Sequence, residues 1–168
     1  MRPSAAEVMK TIIWTFDEII MPDPTSAKAQ SEMLTVSNLL RHVLLRMEQE
    51  GPALLEENMQ LRCLLADIVS FAQDKAELGA IADRITRDLG QLPPIDCGPL
   101  RTVLVLSEES DLLGWTLTAA IEAMHAVRDR YRNDRRYAKL REAIMGYLDN
   151  QLAREAAWID PAFIRGRR

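Results

Sequence analysis

Cysteine is scarce in this chain: Cys63 and Cys97 are its only two thiols in 168 residues. Two widely separated cysteines exclude a disulfide framework and fit a reducing cytosol. The only histidines are His42 and His125, and neither lies in a CxxC or HxxxH spacing, so the common zinc patterns are absent. The seven glycines are scattered. No GxGxxG, Walker loop or nucleophile elbow can be built from them, which argues against nucleotide cradling and serine hydrolysis. No run of eighteen apolar residues occurs, so no membrane span is expected. Met1-Arg2-Pro3-Ser4 leads straight into a patterned helix without a signal-peptide core, and the expected location is cytoplasmic. There is no basic excess either. The net charge is -4, which makes a nucleic-acid partner unexpected.

What the chain does have is apolar periodicity. Hydrophobic residues make up 48% and charged residues 27%, enough to bury a core without metal or disulfide staples. The length suits a single helical domain over 1–168. Ser4-Ala5-Ala6-Glu7 is a capping box, followed by an apolar face through Val8, Ile12, Phe16 and Ile19. Met21-Pro22-Asp23-Pro24 ends that helix, and Thr25 or Ser26 can cap the next. Met33, Val36, Leu40, Val43 and Met47 then recur at steps of three and four, predicting a central helix with one buried face. Ser37, Asn38, Arg41, Arg46 and Glu48 fill its other side, and Gly51-Pro52 is the expected stop. The other helices are expected to pack around this one.

Further stripes run through Leu61, Leu64, Leu65, Ile68 and Ala72, and through Leu78, Ile81, Ile85 and Leu89, with a bend or break near Asp74. The Pro- and Gly-rich stretch 91–99 is an internal connection. Thr102-Val103-Leu104-Val105-Leu106 is β-branched enough for a strand but has no partner strand, so it is assigned to the first turns of a helix, with a possible break at 107–111. Leu113, Leu117, Ala120, Met124 and Val127 continue that pattern; Asn133-Asp134 marks a turn and a cap; Tyr137, Leu140, Ile144 and Leu148 make the last helix, and 154–168 is a tail. The expected fold is an all-α antiparallel helical bundle of about five to seven helices.

Candidate chemistry is sparse. Glu122 and His125 stand three apart on one helix, which is half a di-iron carboxylate set. The other half would need a glutamate at position 39, three before His42, and Leu39 is there instead. Glu122, His125 and His42 are therefore only weak metal candidates, and neither a metal nor another cofactor is expected. Adjacent carboxylates such as Glu56-Glu57 and Glu108-Glu109 point about 100° apart on a helix and are assigned to solvated faces. Arg128, Arg130, Arg132, Arg135, Arg136, Lys139 and Arg141, against Asp129 and Asp134, give a local charge of +5. Arg165, Arg167 and Arg168 raise this to +8, so the remainder carries -12. A solvated turn accounts for such a basic knot, as do an acidic partner or a small anionic ligand held by Arg128, Arg132, Arg135, Arg136 and Lys139. Trp14 and Leu45 lie off the main stripes of their helices, and apolar residues on a second face suggest an interface, most simply of a homodimer.

Three segments resemble a small uncharacterised bacterial helical family: Arg2-Pro3-Ser4-Ala5-Ala6-Glu7 through Met21-Pro22, Ser37-Asn38-Leu39-Leu40 through Gly51-Pro52, and Leu140 to Ala153. The stretch from about Leu64 to Trp115 is longer than in that family, and Asp160-Pro161 replaces its usual Asn-Pro. Members are encoded beside aminoglycoside-phosphotransferase-like kinases and acyl-CoA dehydrogenases. The resemblance implies an accessory role near such chemistry, with a kinase-like or acyl-CoA dehydrogenase-like protein as partner, and no catalytic residues. The sequence as a whole predicts a non-enzymatic accessory or protein-interaction bundle. A bundle binding a small anion or a metal, linked by the resemblance to acyl-CoA or small-molecule kinase chemistry, is the alternative.

Overall fold

The computed structural model describes residues 3–23, 25–94 and 101–163, with side chains described as far as residue 156. Five α-helices account for nearly all of it: α1 (Ala5–Thr15), α2 (Ala27–Ala72), α3 (Gly79–Gln91), α4 (Val103–Ala126) and α5 (Arg135–Phe163). Among the described residues there is no strand, and the fold is an all-α helical bundle. No described helix is long and apolar enough to cross a membrane.

Local chemistry sets most helix starts. At α1 the Glu7 amide donates to Ser4 Oγ at 3.2 Å and the Ser4 amide donates back to Glu7 Oε2 at 2.7 Å, closing the capping box. Ser26 Oγ accepts from the Ala29 amide at 3.1 Å at the start of α2. Thr102 Oγ1 accepts from Val105 at 3.3 Å, so the β-branched run is the first turn of α4, which passes 107–111 without a break. Asp134 Oδ1 accepts from the Arg136 and Tyr137 amides at 2.7 and 3.3 Å, satisfying orphan donors of α5. The break near Asp74 is real: α2 ends at Ala72, and a 3₁₀ turn (Ala76–Leu78) leads into α3. In the 91–99 connection, residues 95–99 lie outside the described residues, Cys97 with them. α5 continues to Phe163, into the segment expected as a tail.

The expected stop at Gly51-Pro52 is not there. α2 runs 46 residues with Pro52 inside it. Pro52 has no N–H to donate back to Glu48, so the helix forgoes one rung at this point. The side chains anchored on its second half hold the helix through that loss.

Two compact units result, one of Met1–Glu50 with Gln151–Arg168 and one of Gly51–Asn150. The second unit holds the core. Leu61, Leu64, Leu65, Ile68 and Phe71 of α2 meet Ile81 and Ile85 of α3, Leu113, Leu117 and Met124 of α4, and Tyr137, Leu140 and Ile144 of α5. The later stripes of the sequence are thus the ones that bury. The stripe from Met33 to Met47, expected to be the organising buried face, is not: Val36, Val43 and Met47 are exposed, and Met33 and Leu40 are half-buried.

Candidate functional site

In the first unit the helical hairpin closes through polar groups. α1 continues as a π-helical turn (Phe16–Ile20), in which the Met21 amide donates to the Phe16 carbonyl at 2.8 Å. This turn places Asp17 where Oδ1 accepts from the Ser37 hydroxyl at 2.7 Å and Oδ2 pairs with Arg41. Ser37 is only 2% exposed and is the one buried side chain among the described residues of this unit. Ser37 and Arg41, expected on the side opposite the buried face of the helix, form the inner contact.

The apolar positions are left outside. Val8, Ile12 and Ile19 on the first arm, and Val36, Leu39, Val43 and Met47 on α2, are each more than a third exposed. On α2 they follow steps of three and four, the spacing of a seam made for another helix. A groove of about 390 Å3 runs along α1 over Val8, Ile12, Phe16 and Ile20. Trp14 is 59% exposed but does not line this groove, and Leu45 is half-buried. The four cations described on the hairpin are each paired within it: Lys10 with Glu48 at 2.8 Å, Lys28 with Glu32 at 3.8 Å, Arg41 with Asp17 and Arg46 with Glu50.

The second unit contains a buried ionic cluster that sequence reasoning missed. Glu109, assigned above to a solvated face, is 5% exposed. It accepts from Arg62 at 3.2 Å and from Arg101 at 2.9 Å. Both guanidinium groups also donate to the Pro93 carbonyl, and Arg101 donates to that of Pro94. One turn away along both helices, Asn58 donates to the Leu106 carbonyl at 2.9 Å. The signal was in the register: Glu109 stands three after Leu106 and four before Leu113, both core positions of α4. The cluster ties the connection to α2 and α4; Arg62 Nε and Asn58 Oδ1 are its two buried atoms left without a hydrogen-bond partner.

The basic knot divides. Arg130 pairs with Glu77 at 2.8 Å, and the Tyr131 hydroxyl donates to the same carboxylate at 2.7 Å. The Tyr131 hydrogen bond is the main cause that holds the Glu77 carboxyl below the usual carboxylate range, and the same bond pushes the Tyr131 hydroxyl up. Arg136 donates to the Ser70 carbonyl and lies 6.0 Å from the Phe71 ring, which Lys75 covers at 3.8 Å. These residues fasten the α4–α5 turn to the end of α2. Arg132, Arg135 and Lys139 are exposed and line no described pocket. Arg128 and Arg141 converge instead with His125 on a cavity of about 180 Å3 between α4 and α5. Its floor is apolar, with Ile121, Met124, Ile144 and Met145 among its lining.

The weak metal candidates do not assemble. Glu122 is exposed and absent from the cavity, and His42 belongs to the other unit. Among the described residues no group of three or more His, Cys, Asp or Glu side chains can hold a metal ion. Cys63 is an exposed free thiol. No family model, curated protein or solved structure matches the chain.

Proposed function

We propose that this protein is a non-enzymatic interaction module that works as a homodimer through its α1–α2 hairpin. The observation that carries the reading is the hairpin's inverted construction: its buried contact is the polar Asp17–Ser37–Arg41 set, and its apolar stripes face outward. Exposed stripes on this scale mark a surface meant to be covered. A second copy is the occupant favoured by the charge pattern. Lys10, Lys28, Arg41 and Arg46 are all paired within the hairpin, leaving no described cation to select a partner of opposite charge. Two hairpins related by a twofold axis would bring like stripes together as a four-helix arrangement. An accessory role beside a kinase-like or acyl-CoA dehydrogenase-like protein rests on the sequence resemblance alone.

The test is the mass in solution of the natural chain and of Leu39→Asp/Val43→Asp. The natural chain is expected at twice 19.0 kDa and the variant at 19.0 kDa with its helical circular dichroism retained, because both positions are exposed. A natural chain that runs as a monomer at micromolar concentration contradicts the reading. So does a variant that stays dimeric.

A further inference from the structure

We propose that the cavity between α4 and α5 is a binding site for a small organic monoanion, a carboxylate on a benzene-sized apolar body. The site lies wholly within the Gly51–Asn150 unit and does not depend on the hairpin. Three observations converge on it. The first is charge: Arg128 and Arg141 line the cavity, and no carboxylate does. The second is availability. Arg130 and Arg136 of the same basic stretch are spent on Glu77 and Ser70, whereas neither Arg128 nor Arg141 makes an ion pair or side-chain hydrogen bond among the described residues. The third is the floor. Ile121, Met124, Ile144 and Met145 supply hydrocarbon and thioether, and Tyr137 supplies its ring, since its hydroxyl already donates to the Met124 carbonyl at 2.9 Å.

Size and chemistry then select the ligand class. An apolar cavity of about 150 Å3 holds a benzene ring, and this one is about 180 Å3. A nucleotide or coenzyme would leave most of its surface outside so small a pocket. A bare inorganic anion would gain the arginines and leave the apolar floor empty. A benzoate-like molecule uses both: its ring covers the floor while its carboxylate takes charge-assisted bonds from Arg128 and Arg141. His125, in the last turn of α4, also lines the cavity.

Benzoate, benzamide and inorganic phosphate are the probes, titrated into the full chain and followed by methyl NMR at Ile121, Met124 and Met145. Benzoate is expected to shift these methyls saturably. Benzamide, which has the same shape and no charge, is expected to bind at least tenfold more weakly, and phosphate is expected to leave the floor methyls unmoved. Arg128→Gln and Arg141→Gln change exposed side chains and are each expected to weaken benzoate about tenfold. Absence of saturable shifts with benzoate overturns the proposal, as does equal binding of benzamide, phosphate shifts on the same methyls, or benzoate binding unchanged in both variants.

Discussion

Glu109 faces two guanidinium groups in a place where water does little to screen them. Such a cluster is weak evidence for net stability, since the desolvation cost offsets much of the attraction. Removing its centre is another matter, because two half-buried cations then lose their counter-charge. Glu109→Gln is expected to destabilise the chain by about 3–5 kcal/mol in chemical denaturation; a loss below about 1 kcal/mol would mean that water reaches the cluster and that it does not hold the Pro93–Pro94 connection. The Glu77–Tyr131 bond makes a different, pH-linked contribution. The folded-state pKa of Glu77 is depressed, so its contribution is present above the ordinary carboxylate pKa of about 4.3 and is lost as pH falls through the lowered value. That of Tyr131 is raised, so its contribution is present below about 10 and is lost as pH rises through the raised value. Tyr131→Phe removes the donor, and carboxyl-carbon NMR titration should find the Glu77 pKa moved upward. An unmoved titration would place the cause in the backbone hydrogen bond at Glu77, with the charge of Arg130 behind it.

α2 shows what local rules decide and what packing decides. Ser4 with Glu7, Ser26, Thr102 and Asp134 could all be read as helix starts, because a cap is a short-range hydrogen bond written in neighbouring residues. The Leu61–Ala72 and Leu78–Leu89 stripes were equally legible, and the structure buries most of their residues. Gly51-Pro52 misled because the penalty for proline is a local quantity of about 3 kcal/mol, while the anchoring of the flanking turns is a sum over distant contacts. Relieving that penalty should show. Pro52→Ala is expected to raise stability by about 2 kcal/mol, the restored helical rung outweighing the greater freedom of the unfolded chain. Gly51→Ala should add about 1 kcal/mol, since a Cβ there meets only Val103 Cγ2 at an ordinary 3.7 Å. A fall in thermal midpoint for either variant would show that the helix needs its irregularity at this point. The register of Glu109 between Leu106 and Leu113 carried its burial, but its partner Arg62, like the partner Asp17 of Ser37, was illegible, because periodicity sorts residues by type and does not pair polar residues far apart in sequence.

Taken across the chain, amphipathic period and burial part company. Leu61 to Ile68 and Val36 to Met47 carry similar stripes, yet the first is core and the second is open. A stripe states that a face needs cover without stating which surface supplies it. The segregated charge was equally visible in sequence, but its division was not. Only the fold separates Arg130 and Arg136, which fasten a turn, from Arg128 and Arg141, which face a cavity. If apolar burial on the hairpin drives self-association, the dimer should be nearly indifferent to sodium chloride and tighten in sulfate. An interface built on the basic knot would weaken steeply with either salt.

Sedimentation equilibrium of the untagged chain over a dilution series from about 100 to 1 μM, with Leu39→Asp/Val43→Asp run alongside, decides whether the hairpin joins two copies. A two-chain mass, insensitive to sodium chloride, is expected for the natural protein and a single-chain mass for the variant. A natural chain that sediments at 19.0 kDa throughout would contradict the dimer.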